Sequence, residues 1–460
     1  MGVLPIVLVV LAAALRIPGC FSELWLDEIW TLLQTQELES VLEIFTEFRS
    51  FNNHHLNSLL IYFLGDHDGW EVYRIHSLAA GIGSVALAWH IARRAGRVEA
   101  IVAALLMAGS YLMIYYSSEA RGYALAVFFA MAAYLAVRRF AEEHAWRWAL
   151  LFWLCTCLGL LSHLMYLHVL IGTFIWLVVE LGGERGKRSS LVGHCAQCFG
   201  APVLLSGCYY YFIVRRMEIS GPEYDLMPVL MRASSLAGGG PEAGPLSVGV
   251  GVLVLGLSLW SVLLLRRQGR SEWIFFSIVI FLSPLATLIL TQPDVIYVRY
   301  FLVNIGFALI AVSYLLAEMV RRGLSDRALA ITLVLAYLAG NGVHTVQFFH
   351  QGRGGFLNGL RYMTEQEPLH FLLVTGDHDF RVPVYLRYYG RFFAPEKEIL
   401  YLPKETHAPR PPRWMLCHEL TDLGDVPATR KVRGGRDYRL VKAYYGSSLS
   451  IWGWFFYRLE

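Results

Sequence analysis

The chain is short of charge. Of its 460 residues only 16% are Asp, Glu, Lys or Arg while 56% are hydrophobic, and its mean hydropathy is +0.46. A water-soluble domain carries about a quarter charged residues, so this deficit excludes an ordinary soluble fold and makes lipid part of the solvent. The net charge of +3 is too small for a nucleic-acid partner. Cysteine is sparse as well. The seven cysteines sit mostly in apolar stretches without an even-spaced framework, and they read as small buried hydrophobes rather than disulfides. His194, Cys195 and Cys198 form a lone CxxC with a neighbouring His. Without a second ligand pair the expectation is packing in a membrane helix, not zinc. No Asn-x-Ser/Thr sequon occurs, which fits a bacterial source better than a secretory-pathway one.

What the chain has instead is long apolar runs. A membrane helix needs about 20 apolar residues, and candidate spans fall at Val3–Gly19, Val72–Ile91, Ala100–Tyr116, Gly122–Val137, Trp148–Leu161, Leu164–Val179, Leu191–Val214, Leu246–Leu265, Trp273–Leu290, Tyr300–Ala317 and Ala328–Phe349. The first resembles a signal-peptide core, but no basic residue precedes it and Arg16 follows it, so an uncleaved first helix is expected. With the amino terminus cytoplasmic, five inner loops each carry a basic trio. These are Arg93/Arg94/Arg97, Arg138/Arg139/Arg147, Arg185/Lys187/Arg188, Arg266/Arg267/Arg270 and Arg321/Arg322/Arg327. The short outer turns are nearly free of such residues. A miscounted span would invert the alternation, so the positive-inside rule supports about 11 helices, the amino terminus inside and the carboxyl terminus outside.

Three outward regions are long. A first periplasmic loop covers 21–71, and a Gly- and Pro-rich stretch at 215–245 reads as a mobile outer loop. The tail, 351–460, has ordinary charge density and strand-like runs at Phe371–Thr375, Glu398–Leu402, Tyr438–Val441 and Ser450–Tyr457, with a helix at Pro383–Tyr389. The expected organisation is a membrane domain over 1–350 and a small periplasmic or extracellular α/β domain over 351–460. Gly376-Asp377-His378-Asp379 in the tail reads as a polar turn after a strand rather than a metal cluster.

Ionisable residues gather at the outer helix ends. Trp25-Leu26-Asp27-Glu28 follows the first span, and the apolar spacing of Ile29, Leu32, Leu33, Val41, Leu42 and Phe45 reads as interfacial helices lying on the membrane. Adjacent acids do not share a helix face, so one of Asp27 and Glu28 points into a cleft, or the pair merely caps a helix. His54 and His55 precede an apolar run too short to span, Leu59–Leu64. Arg74 opens the second span. Glu119, Arg121 and Tyr123 follow the third, His163 tops the fifth and sixth, and Arg299-Tyr300 opens the tenth. The helix centres are almost free of charge, which argues against an ion or proton path through the bilayer. It favours a site at the outer interface, where a lipid-anchored phosphate meets Arg121 and Arg299.

An acidic pair after the first helix, a His-bearing segment before the second, Ser118-Glu119-Ala120-Arg121-Gly122-Tyr123 after the third, a His at the fifth-to-sixth turn and Arg-Tyr opening a late helix resemble the GT-C glycosyltransferases. Within them the pattern is similar to the bacterial dolichyl-phosphate-mannose protein mannosyltransferase-like group, the family 39 type. The resemblance covers residues 1 to about 320. It departs where the family has His followed by Pro and this chain has His54-His55-Leu56, and where Gly122 replaces a Pro.

The resemblance implies a GT-C fold and sugar transfer from a polyprenyl-phosphate donor to a glycan, lipid or protein acceptor at the outer face of the inner membrane. It also implies that Asp27 is the base, that Glu28 supports it, that Glu119 holds sugar or acceptor, and that Arg121 or Arg299 neutralises the leaving phosphate. Assistance by a divalent metal ion is left open. The alternative readings are a lipid-linked glycan ligase or polymerase, a transporter or flippase of lipid-linked substrates, and a non-catalytic scaffold.

Overall fold

A computed structural model describes residues 3–50, 53–182, 188–218, 225–393, 396–404, 406, 411–420, 426–432, 436–447, 449 and 452–460. The chain divides into two compact units. One comprises Met1–Cys20, Leu38–Gly65 and Glu71–Thr345, and the other Phe21–Glu37, Asp66–Trp70 and Val346–Glu460.

The first unit is helical. Among the described residues nine helices are long and apolar enough to cross a bilayer, or ten when Arg97–Gly109 and Tyr111–Ser117, bent by 58°, are taken as one span. The sequence map counted one more. Its fifth span, Trp148–Leu161, falls on the helix Trp146–Ser162, whose 17 residues lie at the short limit for crossing hydrocarbon. The inner loop at 183–187, with Arg185 and Lys187, lies outside the described residues, as does 219–224 of the expected mobile loop. A 12-residue helix, Leu226–Ala237, occupies part of that loop.

Burial separates inner from outer helices. The span Val298–Arg322 is 78% buried by protein and Leu191–Arg216 only 17%. The inner helices owe their close approach to small residues, among them Ala88, Ala92, Ala103, Ala130, Ala133 and Ala136, all fully buried. Exposed Val3, Val7, Val10, Val252, Leu259 and Leu263 form the lipid-facing surface.

Bare backbone inside a membrane must find partners, and the bend at Gly109–Ser110 finds them in side chains. Tyr337 donates to the Leu106 carbonyl at 2.7 Å, and Arg16 donates to Met107 at 2.9 Å and to Ala108 at 3.2 Å. On the far side of the bend, Asn341 accepts from the Tyr111 N–H at 2.7 Å and Ser110 Oγ from that of Met113 at 3.4 Å. Arg16 is fully buried without a carboxylate beside it in these bonds, its charge set against the negative end of a helix dipole.

The second unit is an α/β layer. Its strands are β1 Phe371–Gly376, β2 Glu398–Tyr401, β3 Trp414–Leu420, β4 Thr429–Val432, β5 Arg436–Tyr445 and β6 Trp452–Leu459. They form one sheet in the order β2-β1-β3-β6-β5-β4, parallel around β1 and antiparallel beyond β3. The alternation of side chains sends Trp414, Leu416, Trp454 and Phe456 to one face and Met415, Cys417, Phe455 and Tyr457 to the other, all buried. Four strands and the helix Arg381–Tyr389 match sequence expectation; β3 and β4 were not expected.

The helix Leu26–Gln36 belongs to this unit and packs on Arg381–Tyr389. Its apolar residues Ile29 and Leu32 are 0% and 1% exposed against protein, so the expectation of an interfacial helix resting on lipid is corrected: the apolar stripe is already covered. The Tyr389 hydroxyl donates to Leu24, the Leu357 N–H donates to Glu23, and Arg387 pairs with Glu37 at 2.6 Å.

Candidate active site

The turn Ser118–Gly122 joins the bent span to the helix Tyr123–Glu143 and places Glu119 and Arg121, both fully buried, side by side in the chain. Its backbone is pinned where Ser77 Oγ donates to the Arg121 carbonyl at 3.0 Å. Around Tyr123 the site assembles from distant segments. His54 lies 4.7 Å from the Tyr123 ring, His163 5.1 Å and Tyr116 5.3 Å, centroid to centroid. Two guanidiniums converge on the same ring, Arg121 at 5.9 Å and Arg299 at 6.0 Å. Arg299 lies closer over Tyr297, at 4.0 Å, and Tyr300 borders His163 at 5.7 Å. Tyr116 is within electrostatic reach of both Glu119 and Arg299.

The two imidazoles are opposite tautomers. His54 Nδ1 donates to the Ser162 carbonyl at 2.8 Å, which leaves its Nε2 an acceptor. His163 Nδ1 accepts from the Met165 N–H at 3.1 Å, which leaves its Nε2 a donor. Burial, and then the positive charges of Arg121 and Arg299, keep both neutral: His54 titrates well below its ordinary range and His163 is lowered to about 3. Two permanent cations, a neutral N–H donor and a rim of tyrosines make a receptor for a phosphate-like anion.

His54, Glu119, Arg121, Tyr123, His163, Arg299 and Tyr300, each expected from sequence, thus belong to one neighbourhood. Tyr116 and Tyr297 join it without having been singled out, although each lies within three residues of a chosen Glu or Arg. His55 points elsewhere: its Nδ1 meets the Tyr209 hydroxyl at 2.8 Å and its ring stacks on Phe45 at 5.1 Å. Arg74 donates to the carbonyl of Cys20 at 2.9 Å, closing the end of the first helix. Asp27 and Glu28 stand in the first turn of the Leu26–Gln36 helix in the second unit, Asp27 half-buried and Glu28 1% exposed. The Glu28 carboxylate accepts from the Trp25 N–H at 3.2 Å, so it caps its own helix.

Among the described residues no group of three or more His, Cys, Asp or Glu side chains is arranged to hold a metal ion. His194 stacks on His144 at 4.1 Å, Cys195 is half-buried and Cys198 is buried. Asp377 accepts from the His418 N–H and Asp379 from the Tyr401 hydroxyl, as polar-turn residues do.

Residues 56–209 match the family described as dolichyl-phosphate-mannose-protein mannosyltransferase, a stretch that contains Glu119, Arg121, Tyr123 and His163. No curated protein is matched by the sequence. Among solved structures, the crystal structure of ArnT from Cupriavidus metallidurans in the apo state superposes with a TM-score of 0.54 at 12% identity, covering 91% of this chain and 93% of that one. The same protein bound to undecaprenyl phosphate gives a TM-score of 0.46 at 13% identity, covering 92% and 94%. The likeness to these structures is one of fold. The chain has the GT-C fold and is a multi-pass membrane protein.

Proposed function

We propose that the chain transfers a sugar from a polyprenyl-phosphate donor to a hydroxyl of a glycan, lipid or protein acceptor, with inversion, at the outer face of the bacterial inner membrane. The observation that carries this reading is the pairing of Arg121 and Arg299 around Tyr123, beside two histidines held neutral. A glycosyl phosphodiester carries one negative charge and the departing phosphomonoester carries two. The guanidiniums are therefore worth more in the transition state than in the ground state, which is what accelerates a reaction. His163 Nε2–H adds a donor that the cations keep from becoming a third charge.

Asp27 takes the acceptor proton in this scheme. The acceptor oxygen attacks the anomeric carbon, the bond from that carbon to the phosphate oxygen breaks, and one displacement inverts the configuration. Glu28 holds the turn that carries Asp27. Supporting the role of Asp27 are the family resemblance and its partial exposure at a helix start; the match over 56–209 does not reach it. The basic trios of the inner loops support a cytoplasmic amino terminus and a tail outside.

The test is transfer from a radiolabelled polyprenyl-phosphate sugar by the purified protein. Asp27→Asn is expected to lower turnover with donor affinity kept, and Arg121→Ala to weaken both. An Asp27→Asn variant as fast as wild type would remove Asp27 as base. Lipid movement in vesicles without sugar turnover would favour transport instead. A cysteine placed in the tail should label from outside only.

A further inference from the structure

One cavity is lined by neither Arg121 nor Arg299. It measures about 290 Å³ and opens beside the end of the helix Arg188–Phe212, with Phe45, Phe48, Phe212 and Met217 as walls. Its cations are Arg49 and Arg216, and among the described residues no acidic side chain lines it. Both arginines are exposed, and neither is in an ion pair among the described residues. The two rims are tied together where the Glu218 N–H donates to the Arg49 carbonyl at 2.7 Å and Ser50 bridges to Glu218. The opening is therefore held by backbone, not by loose side chains.

The helix beside it marks the depth. Tyr210, Tyr211 and Phe212 are 62%, 53% and 58% exposed, and the Arg215 guanidinium lies 3.7 Å over the Tyr211 ring. Exposed aromatics followed by arginines are the girdle of a membrane–water interface. The anion most abundant at that depth is the phosphate of a bilayer lipid. Arg49 and Arg216 meet its charge, the Phe and Met walls suit the glycerol and the first methylenes, and the volume suits a headgroup.

We propose that this cavity is a binding site for an anionic phospholipid, distinct from the donor-phosphate cluster. Occupancy fixes the segment that presents His54. Phe45 stacks on His55, the next residue after His54, at 5.1 Å. Met217 lines both this cavity and a smaller one bordered by His54 and His163. The lipid thus acts on the site through one layer of side chains.

Native mass spectrometry of the full-length protein in detergent, with phosphatidylglycerol or phosphatidylcholine added and no sugar donor, reads this directly. Wild type should retain phosphatidylglycerol in preference. The Arg49→Ala/Arg216→Ala variant should lose about fivefold for each arginine removed, and the Lys/Lys variant should keep most of the preference. Equal retention by the Ala/Ala variant and wild type overturns the proposal. So does loss of polyprenyl-phosphate binding with phosphatidylglycerol retention unchanged, which would give the cavity to the donor. Because no sugar is transferred in this measurement, its failure is separable from failure of the proposed activity.

Discussion

His54 and Ser162, 108 residues apart, are joined by a hydrogen bond from the His54 ring to the Ser162 carbonyl at 2.8 Å. The bond passes directly over Gly122. A Cβ there would stand 2.0 Å from the Ser162 oxygen and 2.9 Å from His54 Nδ1. Three segments, each bearing a candidate site residue, therefore meet at a point where a side chain would collide with backbone, which is a physical reason for glycine here.

Gly122→Ala accordingly should fold but misplace the turn carrying Glu119 and Arg121. Overpacking of this size costs about 1–3 kcal/mol, while displacing reacting groups by about 1 Å costs on the order of 100-fold in rate. Thermal unfolding and transfer kinetics on the same preparation separate the two. A rate unchanged from wild type would mean that the turn tolerates the shift.

Histidine burial sets a pH dependence of stability. His163 titrates at about 3 in the folded chain against an ordinary 6.5, and His54 is lowered in the same direction. The unfolded chain binds these protons first, so the stabilising contribution is complete above pH 6.5 and is lost as pH falls toward 3. The slope is about 1.4 kcal/mol per pH unit for each group. Unfolding midpoints measured from pH 8 to pH 5 should fall below pH 6.5, and His163→Asn should flatten the decline. An identical decline in the variant would show that other groups carry it.

Much of this was legible in the sequence because hydrocarbon demands length and apolarity, which single-chain composition displays. Each expected span falls on a helix except Ala100–Tyr116, which is divided between Arg97–Gly109 and Tyr111–Ser117. The helix Leu26–Gln36 was recognised as amphipathic, but a stripe such as Ile29, Leu32 and Leu33 does not say whether lipid or protein will cover it. Strand β3, Trp-Met-Leu-Cys-His-Glu-Leu, holds no β-branched residue and becomes a strand only because β1 and β6 flank it. Edge strand β4, Thr-Arg-Lys-Val, is too short and too charged to give an alternation signal. At the site, residue types and their gathering at the outer helix ends were readable, and the detailed arrangement was not. Nothing in the spacing of His54, Arg121, His163 and Arg299 brings them around one tyrosine.

Glu367 gives a test of the tail. It is 2% exposed, accepts from Arg413 at 2.6 Å and from Trp414 Nε1 at 3.2 Å, and pairs with Arg458 at 3.5 Å. The arginines keep contact with water, so the buried indole N–H suffers most from losing its acceptor, at about 1–3 kcal/mol. Glu367→Ala should lower the denaturation midpoint by that amount and Glu367→Gln, which retains an amide oxygen, by distinctly less. Equal losses would place the stabilisation in the ion pairs instead.

Arg16 offers the sharpest separation of stability from aim. Its guanidinium donates to the carbonyls of Ala12, Met107 and Ala108, and Tyr337 completes the cap at Leu106. Beyond this bend the chain runs through Tyr111–Ser117 directly into Glu119 and Arg121. Arg16→Met leaves the Met107 and Ala108 carbonyls at the bend to find other partners in a dry interior, at about 1–3 kcal/mol for each left unsatisfied. The bend then relaxes toward a straight helix that remakes its own bonds. Transfer activity should therefore fall further than the folded fraction does, whereas Arg16→Lys, with a single donor group in reach, should be intermediate in both. Measuring turnover per folded molecule, from active-site titration beside unfolding midpoints, decides it. A turnover that tracks the folded fraction alone would make Arg16 a stabilising residue with no part in aiming Glu119 and Arg121.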